Sequence, residues 1–439
     1  LFPPVFPLQM SDSRKLAIHG GTPYRTTPFT KWPIHDDSEA KAVADVANSG
    51  KWWRCAYGTG ELEKKSADQI EGRSRVEVFE ERFAAAHRAK YGIAVTNGSA
   101  AIDIAVRAVG IKPGDEVITT PYTFVSTSMC IMNNFGVPVY TDIEADSYNM
   151  DAGQIESLIT ERTKAIIPVH FSGNLCDMER IMAIARKHGL AVIEDAAHAH
   201  GVEYKGEKFA GTFGDLNTFS FQESKNLPTG EGGMLLTDSD ELYERAFSMH
   251  HLGRLPGEVW YKHFHQAWNC RMNEFTAAIG IVQLGRLFEQ NARRMENHTY
   301  LMAKLAELPG ITPCRNLPGL TKHSHHLQML RYNADEVGGV PRDDVIKALN
   351  AEGIPCLAGY TFPSYANPYM SSDETRARYQ AAGIELPDYR AYAERCQNTE
   401  RACYEEAIWL EHRLMLGNKQ DMDDIAGGFA KVIEAFGTL

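Results

Sequence analysis

The chain has 439 residues, with 45 Lys and Arg against 57 Asp and Glu and a net charge of −12. A chain of this length buries about three quarters of its unfolded surface, so it needs no disulfide or metal staples. The acidic surplus lacks the basic face that nucleic acid requires, and the 8 cysteines are dispersed with no C-x-x-C pair, which excludes zinc ribbons and fits reduced thiols of a cytoplasmic protein.

Residues 1–9 (LFPPVFPLQ) are apolar and Pro-rich with no basic start. They make a poor signal peptide and are read as an extension ahead of Met10, outside the fold. Val76, Phe79 and Phe83 then fall at helical spacing. The strand YGIAV (91–95) leads into a helix from Ser99, and the strand DEVIT (115–119) into a helix after Phe124. VPVY (137–140), a helix near DAGQIESLI (151–159), KAIIPVHF (164–171), the helix MERIMAIARKHG (178–189) and LAVIED (190–195) continue the alternation. Continuous apolar runs mean strands buried on both faces, and strand–helix alternation predicts a doubly wound, mostly parallel sheet. The longest uncharged run, Val117 to Thr141, is broken by Pro121, Gly136 and Pro138, so it is no membrane span.

Beyond Asp195 the pattern changes. Residues 201–215 read as a hairpin, 217–221 and 233–237 as strands, and 273–308 as a long amphipathic helix. The strand HLQMLRYN (326–333), a helix opened by Pro341, the strand HRLMLG (412–417) and a helix over 421–436 complete the chain. These elements predict an α/β chain with a large domain over 10–285 and a smaller C-terminal α+β domain over 286–439. The mixed-charge segment 54–75 reads as a long loop near a site or interface.

Four features carry chemistry. Thr96-Asn97-Gly98-Ser99-Ala100 opens a helix directly after a strand and presents free N–H groups to an anion, although the same pattern is also an ordinary helix cap. Asp195 ends a strand, where ligands of open α/β sheets bind; it would hold a ring N–H⁺ or cap a helix. Lys225, after a buried strand and before the Gly-rich Thr229-Gly230-Glu231-Gly232-Gly233, is placed for desolvation and Schiff-base chemistry, although most lysines are solvated surface groups. Phe124 would stack on an aromatic ring or fill the core. Together they form the parts of a pyridoxal phosphate (PLP) site: phosphate cradle, stacking ring, carboxylate and lysine.

The blocks NGSAA, TPYTFVSTS, VIEDAAHAHG, TFSFQESKNLPTGEGGM and NCRMNEFTAAIGIVQL resemble the DegT/StrS family of sugar aminotransferases, PLP enzymes of fold type I. The resemblance runs from about Leu16 to the C-terminus. It implies that Lys225 is the Schiff-base lysine and that Asp195 pairs with the pyridine nitrogen. It implies that Gly98, Ser99, Ala100 and Ser220 hold the phosphate and that Phe124 stacks on the ring. His198 stands where many members have Gln, near the ring. Asn269 or Arg271 matches a residue reaching the phosphate from the neighbouring subunit, which implies a homodimer with shared sites. The intact Lys225 favours transamination over the dehydratase chemistry of relatives with His there. Gln222-Glu223-Ser224 departs from the His-Pro-Thr of many nucleotide-sugar members; with residues 352–369 it resembles the subgroup acting on cyclitols and the aminohydroxybenzoate synthases.

The expected reaction moves an amino group from glutamine or glutamate to a keto sugar or keto cyclitol. An aromatising lyase and a non-catalytic PLP-fold regulator are the alternatives. No spacing of the histidines fits a metal motif, and no metal is expected; His323, His325 and His326 are read as surface or interface groups, with a role beside Tyr360 in the substrate pocket as the other reading. Trp52 and Trp53 either pack on a sugar or fill a subunit contact, and Gly58-Thr59-Gly60 is no dinucleotide fingerprint.

Overall fold

The structure, a computed structural model, describes residues 15–57, 72–255, 258–259 and 261–437. The 1–9 extension, Gly58-Thr59-Gly60 and most of the 54–75 segment lie outside the described residues.

The first helix, α1 (Asp37–Ser49), has no counterpart among the expected elements; of its residues only Val46 is buried. Its start is set by a capping box between Asp36 and Glu39. Then come α2 (Arg75–Ala86), β1 (Tyr91–Val95), α3 (Gly98–Ala108), β2 (Glu116–Thr119), α4 (Ser126–Asn133), β3 (Val137–Tyr140), α5 (Ile155–Leu158), β4 (Thr163–Ile167), α6 (Met178–His188) and β5 (Ala191–Val192). The hairpin is β6 (Glu203–Tyr204) with β7 (Lys208–Phe209), followed by β8 (Asn217–Ser220), β9 (Gly233–Thr237) and α7 (Asp240–His250).

Strands β3, β2, β4 and β5 pair in parallel. Parallel bridges from Val169 to Asp195 and from Asp195 to Thr218 carry the sheet on to β8, and β9 joins β8 to β1 antiparallel to both. The order β3-β2-β4-β5-β8-β9-β1 is therefore parallel except for β9, which returns the chain after the Lys225 loop. Period-two geometry divides the work of β8. Phe219, together with Phe221 just beyond it, packs on α2 (Phe83 to Phe219 5.0 Å, Phe79 to Phe221 5.2 Å between ring centroids), while Ser220 faces Gly98.

The long helix α8 (Glu274–Leu305) is capped by Asn273, whose side chain accepts from Thr276 N at 2.9 Å. It buries Ala277, Leu284 and Leu287 in the large core and Leu301, Met302 and Leu305 in a second core. The division at 285/286 thus falls inside one continuous helix that belongs to both. The chain then continues through β10 (Ile311–Pro313), β11 (Leu320–Lys322), β12 (Leu327–Tyr332), α9 (Arg342–Ala351), α10 (Asp373–Ala381), α11 (Tyr392–Arg395), α12 (Gln397–Arg401), β13 (Ala407–Glu411) and α13 (Lys419–Gly437). Of these, β10, β12, β13, α9 and α13 build the second lobe, while β11 turns back to pair with β6, and Tyr379 and Tyr392 of α10 and α11 pack on Met132, Val137 and Tyr140.

One strand is displaced from its expected position. Residues 407–411 pair with β12, Ala407 opposite Arg331 and Glu411 opposite Leu327, whereas 412–416 coil into a 3₁₀ turn that buries Leu414 and Met415 in the second core. Two apolar residues in succession look like strand but here cover a helix. The N-terminal segment also sits on this lobe: Leu16 joins its core, and Arg25 pairs with Asp421 and Asp424 of α13, each at 2.6 Å. Among the described residues no helix is long and apolar enough to cross a membrane.

Candidate active site

A cavity of about 590 Å³ lies beyond the carboxyl ends of β5 and β8, at the N-terminus of α3. Asn97 caps that helix, its side chain accepting from Ala100 N at 2.8 Å, and the Oγ atoms of Ser99 and Ser126 lie 2.6 Å apart at the cavity wall. The turn requires glycine. A Cβ on Gly98 would stand 2.7 Å from the Cβ of Ser220, and one on Gly233 would stand 2.4 Å from the Asn97 carbonyl oxygen. Close approach of backbone to backbone leaves the hydroxyls and the helix N-terminus facing one point, an anion seat.

Asp195 is buried and lines the same cavity. Thr127 Oγ1 donates to its Oδ2 at 2.9 Å, and Ala197 N to its Oδ1 at 3.2 Å. Burial raises the carboxyl above its usual range, opposed by these donors and by the charge of Lys225. Its neighbour Glu194 is fully buried and tied down, accepting from Gly211 N (2.8 Å), Phe213 N (2.6 Å) and Gly214 N (2.7 Å), with His170 Nε2 at 2.7 Å. Glu194 thereby anchors the strand end from which Asp195 projects.

Lys225 lines the same cavity. Its loop is closed by backbone pairs: Thr229 N to Phe221 O (2.8 Å), Glu223 N to Gly230 O (2.9 Å) and Phe221 N to Gly232 O (2.8 Å). Burial lowers the lysine to about 8, against the pull of the Asp195 charge. About a tenth of it is then free amine at pH 7, many times more than for an ordinary lysine, and the free amine is the form that attacks a carbonyl.

Phe124 is 60% exposed, so it is no core aromatic; its ring stands open at the cavity wall. His198 is buried, stacks on His326 with centroids 4.1 Å apart, and has no hydrogen-bond partner for Nδ1 among the described residues. Burial holds it well below the usual histidine range, hence neutral. Ala100 lies one step inside α3, where its N–H is spent on the Asn97 cap. Asn269 and Arg271 do not line this cavity. Arg271 Nη1 instead meets His251 Nδ1 at 3.0 Å, and its guanidinium lies over Trp53 at 5.7 Å.

A second cavity of about 660 Å³ adjoins the first and shares His198, Gln222, Ser224, Lys225 and Tyr360 with it. Its far wall comes from Trp32 and the second lobe: His326, Leu357, Trp409, His412 and Arg413. The histidines of 323–326 are consequently not surface groups. His323, His325 and His326 are all at most 5% exposed. His326 lines this cavity, while His298, His325 and His323 stack at 3.8 and 3.7 Å. Among the described residues no group of three side chains is placed to hold a metal ion.

Thr127, Ser126, Trp32 and His412 escaped the sequence reading. Thr127 and Ser126 had only a weak local signal, lying at the start of the helix that follows Phe124. Trp32 and His412 had none, being distant in sequence from the lysine.

The model of the DegT/DnrJ/EryC1/StrS aminotransferase family matches residues 61–426. The chain belongs to this family. It is 33% identical over 438 residues to the L-glutamine:2-deoxy-scyllo-inosose aminotransferase of Streptomyces kanamyceticus, covering 98% of both proteins. Its fold matches the crystal structure of 3-amino-5-hydroxybenzoic acid synthase with a TM-score of 0.81 at 31% identity, over 94% of this chain and 100% of that one. The crystal structure of NtdA from Bacillus subtilis, solved with bound cofactor PMP, matches with a TM-score of 0.73 at 25% identity, over 93% of this chain and 86% of that one. The chain is a PLP-dependent aminotransferase of fold type I. The cavity fits the cofactor: the turn kept open by Gly98 suits a phosphate, and the Asp195 carboxyl, the Lys225 amine and the exposed ring of Phe124 line the same space.

Proposed function

We propose that this aminotransferase carries the amino group of glutamine to a keto cyclitol, with Lys225 as the lysine that binds PLP. The observation that supports it is the meeting of Lys225 and Asp195 in one cavity that opens into a second, between the lobes. Gly98, Ser99, Ser126 and Ser220 would hold the phosphate, Ala100 having its N–H committed to the Asn97 cap, and Phe124 would cover the ring. PLP supplies, when bound, a ring that takes up negative charge from the substrate carbon. Asp195 would keep the pyridine nitrogen protonated. Nζ of Lys225 would take the proton from Cα of the donor and return one to the carbon of the acceptor. One amine serves both directions because it titrates close to neutrality.

The acceptor class rests on the name of the inosose aminotransferase and on Gln222, which lines both cavities. The test is to treat the holoenzyme with glutamine, remove the excess, and add keto cyclitols or nucleotide-linked keto sugars. Return of the visible absorption of lysine-bound PLP with a keto cyclitol is the expected result. Return with nucleotide-linked sugars alone would overturn it. The likeness to the aminohydroxybenzoate synthase favours a second reading, an aromatising lyase. Loss of water from an aminoshikimate-type substrate without any amino donor would establish that one.

The enzyme is further read as a cytoplasmic homodimer. Its cysteines are all free, which fits a reducing compartment. Asn269 and Arg271 do not line their own cavity, and Arg271 lies over the exposed Trp53; they would reach the cofactor phosphate of the second copy. Mixing Lys225→Ala with Arg271→Ala protomers should restore activity, because one site of the mixed dimer is then intact; no recovery on mixing would refute shared sites.

A further inference from the structure

The backbone around Lys225 is gripped from outside the large domain. Trp32 Nε1 donates to Glu223 O at 2.7 Å, and His412 Nε2 meets Ser224 O at 2.9 Å. On the other side Asn226 Nδ2 donates to Ser324 O at 2.7 Å. Behind His412 lies Arg294, a fully buried guanidinium on α8. Its partners are Asn291 Oδ1 (2.9 Å), Gln290 Oε1 (3.4 Å) and His412 Nδ1 (3.2 Å), and its Nε has none. Among the described residues it has no carboxylate. It also lies over the Trp32 ring at 5.4 Å, and that ring meets His412 edge-on at 4.5 Å.

A buried cation without an anion is costly, and an apolar side chain in its place is often tolerated or better. The geometry supplies a use for it. A guanidinium only donates, so His412 Nδ1 must accept. The ring proton then sits on Nε2, opposite a carbonyl that only accepts. Arg294 therefore selects the one tautomer of His412 that can hold the Ser224 carbonyl, which is bonded directly to the nitrogen of Lys225.

We propose that Arg294 is a positioning residue for Lys225, acting by fixing the Nε2–H tautomer of His412 so that the carbonyl before the lysine is held. This rests on Lys225 being the lysine that binds PLP.

The test separates the two nitrogens of His412. His412→Gln keeps a donor at the reach of Nε2, whereas His412→Asn keeps only an acceptor at the reach of Nδ1. PLP is added to each apoprotein and the growth of the visible band of lysine-bound PLP is timed. The expected result is that His412→Gln stays within about twofold of wild type, while His412→Asn and Arg294→Met are slower by about tenfold, the loss of one hydrogen bond. Arg294→Met made in the His412→Gln background should add nothing further, since the tautomer no longer matters. Equal rates for His412→Gln and His412→Asn, or a full Arg294→Met effect in the Gln background, would overturn the proposal. Lys225→Ala is run alongside. A band persisting in that variant would overturn the assignment of Lys225 itself, a different outcome from either of these. The His412 pair decides the matter even if Arg294→Met folds poorly.

Discussion

Asp195 and Lys225 line one cavity, and the charge of each opposes the effect of burial on the other. Burial drives the carboxyl up and the amine down; their mutual attraction pulls both back toward the charged forms. The pair is thus poised between an ion pair and two neutral groups, and a ring nitrogen arriving at Asp195 would release Lys225 from that attraction.

The first prediction concerns pH. Lys225 titrates at about 8. Below that pH it is an ammonium and cannot attack a carbonyl; above it the free amine can. The rate at which the apoprotein captures PLP should rise with pH and level off, with a midpoint near 8. Asp195→Asn removes the charge that favours the ammonium, so the midpoint should move lower. A midpoint in the ordinary lysine range, or an upward move in the variant, would contradict the coupling.

Asp195→Asn should also retain the cofactor, since phosphate cradle and lysine are untouched, yet lose transamination by about 10²-fold or more for want of a protonated ring nitrogen. Single-turnover rates with glutamine, measured at saturating PLP, check this. A rate near that of wild type would remove the electron-sink role.

Phe124→Ala should weaken PLP binding by about tenfold, the worth of one aromatic stacking contact. The melting temperature of the apoprotein should not change, because the ring is already exposed. Equilibrium dialysis with PLP and a thermal melt without it distinguish this from a packing role, which would lower the melt instead.

Gly98→Ala places a methyl group 2.7 Å from the Ser220 Cβ. The turn must open, at a cost of about 1–3 kcal/mol, and PLP affinity should fall with it. Ser220→Gly in the same chain makes room and should recover the melting temperature while PLP affinity stays reduced, because the hydroxyl is gone. Failure of the second change to recover stability would place the strain elsewhere.

Glu194→Gln sets an amide donor among three backbone donors in a fully buried spot. A loss of about 2–4 kcal/mol is expected, from unpaired N–H groups in the core. Urea unfolding of the apoprotein reads it directly. An unchanged midpoint would show that the strand end does not depend on this carboxylate.

Local pattern already reveals the parallel sheet, the Gly98 turn, Asp195 at a strand end and Lys225 before a Gly-rich return, because each depends on residues close in sequence. A strand followed by a small-residue turn presents helix N–H groups wherever it occurs. What escapes local pattern is partnership across the chain. Phe124 has the composition of a core residue; only the packed fold leaves it facing a cavity. His323, His325 and His326 read as surface groups because three histidines look polar, yet α8 and the large domain close over them. The strand at 407–411 wins over 412–417 because β12 offers ladder partners to the first and the second core takes the apolar side chains of the second.

Length, acidity and dispersed cysteines excluded a nucleic-acid face and metal ribbons, and the motif blocks carried the family and its cofactor. Those are properties of short stretches, where backbone geometry and side-chain type are set together. The grip of Trp32, His412 and Arg294 on the lysine loop belongs to the tertiary structure alone. Its members lie more than a hundred residues from one another, and each alone reads as an ordinary aromatic or charged side chain. Only docking of the second lobe against the large domain brings them to Glu223 and Ser224, where hydrogen-bond geometry leaves His412 a single tautomer.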